Sequence, residues 1–303
     1  MQGARRNASF ISLAQKDTRQ LRADAVNNVP CTCQKHQVMQ PRERSSQLKD
    51  KVVLLRHALF FVTALITAVP AAAETVHFVT EEFPPFSFSR GGIASGALPE
   101  IVNATCGLLQ WHCEIEVLPW RRALQQAEDG EVDGIFTVIQ SPARRKAFLI
   151  TPMVVTSGYD FYTLRSNHFQ FSQPDDLRGR QIGVYGPSGT SFVLQESLKN
   201  TPDVDIKLVT NNHRLLLMLN AGRFGEKGVV LLNRDVARHL IEHEYLYALR
   251  NAGHLTSISY GIGFSRKRVS PVKFQAFNRG LNTLRNNGQL ATIVQRYGLQ
   301  PAN

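Results

Sequence analysis

After residue 73 the chain has no membrane-length apolar run, no internal repeat and no basic block. Residues 1–73 hold 11 basic and 4 acidic residues, and residues 74–303 hold 24 and 20. Most of the formal net charge of +11 therefore sits in the first quarter. The remainder has no electrostatic footprint for a phosphate backbone, so nucleic acid is not expected as a partner. Cysteine is scarce, with 4 in 303 residues. Cys31 and Cys33 form a lone C-x-C pair, too little to argue for a metal site, and no metal or other cofactor is expected. No H-E-x-x-H, G-x-S-x-G or Cys/His nucleophile pattern occurs, which removes the best-marked hydrolase classes. What is present is an apolar content of 43%, which excludes a mostly disordered chain.

The basic first quarter reads as an address. Residues 58–69 are an apolar stretch of signal-sequence length, flanked by Lys49, Lys51 and Arg56, with Ala71-Ala72-Ala73 before Glu74 as a small-residue cleavage site. Residues 51–73 are thus predicted to be a signal peptide cleaved after Ala73, exporting the protein to the periplasm. The rival reading is a membrane anchor over residues 52–73. It places Arg56 and His57 inside the span, where a charge is costly. Residues 1–50 are polar and basic without apolar periodicity. They are read as a disordered or mis-called extension, with translation starting later, for example at Met39.

From Glu74 the pattern alternates. Short β-rich runs (76–80, 113–118, 132–138, 154–164, 181–185, 205–209, 228–232, 257–264) separate segments of helical spacing. Two such α/β units imply two lobes with mostly parallel sheets and a cleft between them. The last two helices are expected over 271–285, with Phe274, Phe277, Leu281 and Leu284 on one face, and over 290–297. Cys106 and Cys113 form a close pair, which in an oxidising compartment reads as a disulfide, with two buried thiols as the alternative.

Candidate ligand groups lie where strands end. Gly186-Pro187-Ser188-Gly189-Thr190-Ser191 is a turn opening a helix, where free N–H groups and the helix dipole favour an anion; an ordinary helix cap is the alternative. Arg144 follows a strand and can hold a carboxylate with two parallel hydrogen bonds, whereas Arg145 and Lys146 read as solvated surface. Phe83, Phe86 and Trp120 also follow strands and either wall a pocket or pack in the core.

Together these segments resemble the bacterial periplasmic solute-binding proteins of polar amino-acid ABC transporters, family 3. The resemblance rests on TEEFPPFSF (80–88), GEVDG (130–134), residues 141–152, DLRGRQIGV (176–184), Gly189-Thr190-Ser191, YGIGFS (260–265) and Arg296-Tyr297-Gly298-Leu299. It implies a two-lobed Venus-flytrap fold, with residues 74–165 and 257–303 in one lobe, 166–256 in the other, and two hinge crossings near 159–165 and 256–261. It implies that Cys106 and Cys113 are the disulfide pair of several members. It also implies that Phe83 stacks on the ligand, Trp120 lines the pocket, Thr137 offers a hydroxyl, and Arg144 and the Gly-Thr-Ser turn grip a carboxylate. The protein would then be a monomer that captures a small carboxylate-bearing solute, an amino acid or derivative, for an inner-membrane ABC permease.

One position departs from the pattern. Where α-amino-acid binders usually carry an Asp for the ammonium group, this chain has Asn233, and a second, often polar position is Ile139. Either another carboxylate, for which Glu82 is the candidate, replaces it, or the ligand is not a standard α-amino acid. The competing class is an exported dehydratase of the same fold, cyclohexadienyl or arogenate dehydratase-like, which needs a general acid in the cleft. Glu82 is again the candidate, while His112, His168, His213 and His239 fall on predicted loops or helix faces. A receptor ectodomain acting through a separate partner is the third class. A binding protein without enzymatic activity is the expectation.

Overall fold

The computed structural model describes residues 74–302. The N-terminal extension, the signal-peptide segment, Cys31 and Cys33 lie outside the described residues. The chain runs β1 (Thr75–Thr80), β2 (Phe88–Arg90), β3 (Ile93–Ser95), α1 (Ala97–Leu109), β4 (His112–Val117), α2 (Trp120–Asp129), β5 (Gly134–Val138), α3 (Pro142–Ala147), β6 (Phe148–Ile150) and β7 (Val155–Leu164). It continues with β8 (Arg180–Tyr185), α4 (Gly189–Ser197), β9 (Val204–Val209), α5 (Asn212–Asn220), β10 (Val229–Asn233), α6 (Arg234–His243) and β11 (Leu249–Ser265). α7 (Pro271–Asn286), α8 (Gln289–Arg296) and β12 (Gln300–Pro301) complete it.

The fold is α/β with two lobes. β4-β1-β5 is a parallel set in one lobe, and β9-β8-β10 is a parallel set in the other. Between them run two antiparallel strands. The end of β11 pairs with β5 and β6, the second half of β7 pairs with β10, and β7 and β11 pair with each other from Val155–Tyr260 to Leu164–Leu249. The strand path β4-β1-β5-β11-β7-β10-β8-β9 therefore joins the lobes through β7 and β11. β5 and β10 are buried at every position, as expected of central strands covered on both faces.

The first lobe's core forms around α7. Ser270 caps the helix by accepting from the Lys273 N–H at 3.2 Å, and Pro271 begins it with a preset φ. Phe274, Phe277, Leu281 and Leu284 are its buried face, as their spacing predicts. Phe277 meets Phe264 of β11 at 4.9 Å between ring centroids, and Phe264 meets Phe78 of β1 at 5.4 Å. Each such ring contributes about 1.5–3 kcal/mol by burial.

Several elements differ from the sequence reading. β11 begins at Leu249, eight residues before the expected start. Residues 249–256 lack β periodicity because the pairing with β7 shifts register twice, between Asn251 and Gly253 and between His254 and Thr256. The β2–β3 hairpin was not expected either, its strands being only three residues each. α1 continues past Cys106 to Leu109, where Gln110 closes it in the left-handed conformation. Among the described residues no helix is long and apolar enough to cross a membrane.

Cys106 and Cys113 are bonded to each other, tying the last turn of α1 to β4 across a sequence separation of 7. Closing so short a loop limits the unfolded chain modestly, so the Cys106→Ser/Cys113→Ser variant should lose about 2–3 kcal/mol. Denaturant midpoints of the two proteins measure this. Intact mass of the non-reduced protein should show two fewer hydrogens than the reduced form, and two free thiols would overturn the pairing.

Candidate functional site

The ends of β1, β5 and β8 and the middle of β7 converge where the lobes meet. Six of the residues singled out from the sequence line one chamber there: Phe83, Trp120, Thr137 and Arg144 from one lobe, and Gly189 and Thr190 from the other. Its volume is about 20 Å³, room for a single water. Phe83 stacks on Phe86 with centroids 5.2 Å apart and presents its edge to Tyr260 at 5.7 Å. Gly189 is needed for close approach, since a Cβ there would lie 3.2 Å from Ile139 Cδ1 and 3.4 Å from the Tyr159 hydroxyl.

Arg144 lies in the short helix α3 rather than on a free loop. Ser141 caps that helix by accepting from the Arg144 N–H at 3.3 Å. The guanidinium donates to Glu128 Oε1 of α2 at 2.7 Å and lies 5.8 Å from the Trp120 ring centre. Burial lowers its pKa from the usual arginine value, and Glu128 opposes that shift. Arg145 is turned outward, bonding the Gln140 carbonyl. Thr137 sits at φ 67°, an outlier for a β-branched residue, where β11 shifts register against β5. Its hydroxyl donates to the Phe136 carbonyl.

Ser191 and Asn233 are not brought into the chamber. Ser191 belongs to the capping box of α4: its Oγ accepts from the Ser188 N–H at 2.9 Å, and its N–H donates to Ser188 Oγ at 3.3 Å. Asn233 caps α6, its Oδ1 accepting from the N–H groups of Asp235 (2.9 Å) and Val236 (3.1 Å) and from Ser157 Oγ (3.2 Å). Its Nδ2 donates to the Tyr260 hydroxyl at 3.0 Å, and that hydroxyl donates to Tyr159 at 3.2 Å. Asn233 thus acts one step behind the chamber, by holding Tyr260.

The cleft carboxyl is also corrected. Glu82 is exposed at the rim and accepts from the Ser89 N–H at 3.1 Å. Glu81 faces inward, only 7% exposed, and lines the chamber. Successive side chains of extended backbone alternate in direction, so a one-residue choice decides which carboxyl enters. Burial pushes the Glu81 pKa up to about 8, with the nearby Tyr185 hydroxyl opposing that shift. Tyr185 belongs to β8 of the second lobe but packs among Val79, Leu118 and Trp120 of the first. Burial pushes Tyr159 up to about 12 and raises Tyr185 and Tyr260 as well, so all three keep their protons at neutral pH. Outside this chamber a larger cleft of about 720 Å³ shares Glu81, Trp120 and Tyr185 as walls and reaches Asn212, His239 and His243. Tyr159, Tyr185 and Tyr260 stand in expected strands, but only the alternation of their neighbours marks them as inward-facing. Among the described residues, no group of three or more His, Cys, Asp or Glu side chains is placed to hold a metal ion.

The family model of the bacterial extracellular solute-binding proteins, family 3, matches residues 76–300, and the chain belongs to that family. No curated protein matches it. Solved structures share the fold. One is a histidine kinase sensor domain with similarity to periplasmic binding proteins, at 18% identity and TM-score 0.67 over 76% of this chain and 99% of that one. An ancestral arginine-binding protein bound to arginine gives 19% and 0.65, over 74% and 97%. An amino acid ABC transporter substrate-binding protein from Streptococcus pneumoniae bound to L-arginine gives 17% and 0.63, over 77% and 97%.

The strain at Thr137 is testable. A left-handed β-branched residue costs about 1–3 kcal/mol, so Thr137→Gly should raise the melting temperature despite the greater freedom of glycine in the unfolded chain. An unchanged or lower value would show that the hydroxyl contact outweighs the strain. Glu81 gives a pH dependence. An acid whose folded pKa is raised has its full stabilising effect below the ordinary value, 4.5, and loses it as pH climbs toward about 8. Glu81→Gln, which stays neutral, should therefore gain melting temperature relative to wild type progressively between pH 5 and 8. A difference independent of pH would mean Glu81 is already ionised at pH 5.

Proposed function

We propose that the protein is an exported binding protein that captures a small carboxylate-bearing solute, an amino acid or close derivative, and presents it to an inner-membrane ABC permease as a monomer. The observation that carries this reading is the placement of Arg144 of one lobe and the Ser188–Thr190 start of α4 of the other on one chamber. A guanidinium supplies charge and a bidentate fork, and the helix start supplies N–H donors and a partial positive charge. Each lobe contributes half of the grip, so a carboxylate favours the closed arrangement over an open one. A chamber of about 20 Å³ admits no amino acid as it stands. The lobes, 74–165 with 257–303 and 166–256, must part to load, and the crossings in β7 and β11 are the hinges in this reading.

A second reading is favoured by Glu81, a buried acid that keeps its proton near neutral pH and so has the character of a general acid. It would make the protein a dehydratase of the kind that eliminates water from cyclohexadienyl acids. Turnover of prephenate or arogenate by the purified protein, abolished in Glu81→Gln, would establish it over simple binding.

The binding reading is tested by calorimetric titration of L-amino acids identified in a thermal-shift screen. Removing one partner of a buried charge pair costs about 2–5 kcal/mol, so Arg144→Ala should weaken binding by roughly 30- to several-thousand-fold. Arg145→Ala should leave it unchanged, and Arg144→Lys should restore only part, because an ammonium lacks the fork. Wild-type affinity in Arg144→Ala would remove the carboxylate grip.

A further inference from the structure

The outer cleft of about 720 Å³ has no part in the grip on the carboxylate, yet it has the volume of a small-molecule site. Its walls come from both lobes. Phe88 of β2 and Trp120 of α2 stand on one side, and Asn212 of α5 and His239 of α6 on the other. Among the described residues no Lys or Arg lines it. Its carboxyls are answered within the protein: Glu82 accepts from the Ser89 N–H, Glu244 pairs with His213, and burial keeps the proton on Glu81. An anion therefore finds no permanent counter-charge there.

Asn212 is buried on this cleft without a partner. It is 4% exposed, and neither its Nδ2 nor its Oδ1 is hydrogen-bonded. It is the first residue of α5, but Asn211 already caps that helix, its Oδ1 accepting from the Arg214 N–H at 2.7 Å. An amide buried without partners costs about 1–3 kcal/mol. Trp120 Nε1 is a second buried donor on the same cleft without an acceptor. Two flat rings complete the setting. Phe88 and His239, from opposite lobes, lie 29° from parallel with ring centres 6.5 Å apart. A ring inserted between two others needs about 7 Å, two carbon contacts of about 3.5 Å each, so a slight parting of the lobes admits one. His239 is itself backed by His243, with ring centres 3.9 Å apart. Burial, then His243, hold His239 below the usual histidine pKa, so it presents an uncharged ring at neutral pH.

We propose that the outer cleft binds a flat, uncharged nitrogen heterocycle of the lactam type, with its ring between Phe88 and His239 and its edge read by Asn212. A lactam presents an N–H donor beside a carbonyl acceptor. Asn212 Oδ1 accepts from that N–H while Nδ2 donates to the carbonyl, which gives both amide atoms a partner at once. A benzene ring stacks as well but leaves the amide unpaired, and an anionic ring finds no counter-ion. The heterocycle is either part of the solute whose carboxylate is held at Arg144, since chamber and cleft share Glu81, Trp120 and Tyr185 as walls, or a separate molecule.

The experiment is calorimetric titration of the purified protein with uracil, uracil-1-acetate and phenylacetate. Uracil-1-acetate carries ring, edge and carboxylate, and phenylacetate lacks the edge. At least one uracil probe should bind wild type, and phenylacetate should bind about 10- to 100-fold more weakly than the tighter of the two. Asn212→Leu should erase that preference by weakening the uracil probes alone. Phe88→Ala should weaken them about 10- to 100-fold by removing one stacking face. Because neither amide atom has a partner, Asn212→Leu should also raise the melting temperature measured without ligand. A lower value would show that the amide holds α5 and would overturn its role as reader. Arg144→Ala tells the two sources apart. If it removes an advantage of uracil-1-acetate over uracil, the ring belongs to the solute of the chamber; if the two bind alike with or without Arg144, the ring is a separate ligand. No binding of either uracil probe to wild type, phenylacetate binding as tightly as they do, or unchanged affinity in Asn212→Leu overturns the proposal. Its failure leaves the carboxylate grip standing, which the amino-acid titrations decide by themselves.

Discussion

Everything at the cleft depends on two strands that belong to both lobes. β7 and β11 are hydrogen-bonded to each other along ten residues of β7, and each then hands over to the parallel set of a different lobe. Because the lobes share this pair, the open ends of β5 and β8 are carried to the same place. A ligand site at strand ends is a general property of open α/β sheets. Here the shared pair makes it a site with walls from two bodies, since Tyr159 of β7 and Tyr260 of β11 form its floor at the junction itself.

That geometry sets strict requirements on size. Gly189 and Ile139 approach across the cleft so closely that one added methyl group would lie 3.2 Å from Ile139 Cδ1 and oblige that side chain to give way slightly. Thr137 accepts an unfavourable backbone conformation at the point where β11 slips register against β5. Such a conformation persists only where its surroundings hold it, and it clusters at ligand sites for that reason. The strained threonine, the small glycine and the buried guanidinium are all on the same chamber. A core built only for stability has no need of them together.

Much of this was legible in the sequence, and what was not has a physical cause. The alternation of short strands and helices, the apolar face of α7 and the Cys106–Cys113 pair can be read because each follows a local rule of periodicity or spacing. Arg144, Phe83, Trp120 and Gly189 can be singled out because strand-end positions and helix starts are marked in sequence, and the structure puts all four on one chamber. Glu81 was missed in favour of Glu82 because two adjacent glutamates differ only in the phase of the backbone, which three-dimensional pairing fixes. Ser191 and Asn233 are chemically suited to a ligand, but both sit at helix starts, where unpaired N–H groups compete for the same side-chain oxygens. The first part of β11 escaped because its two register shifts erase the period of two.

The electrostatic state of the closed cleft follows from which ions have partners. Arg144 and Glu128 neutralise each other, the three tyrosines are uncharged, and Glu81 avoids an uncompensated charge by keeping its proton. A buried ion is tolerated only with a partner and hydrogen bonds. A simple carboxylate entering this space would have to share Arg144 with Glu128 and would leave the chamber with excess negative charge. Tyr185 ties the lobes together at this point, because it is anchored in the second lobe and packs among Val79, Leu118 and Trp120 of the first. Burial is what raises the pKa of Glu81, so an opening of the cleft that let water reach it would favour its ionised form.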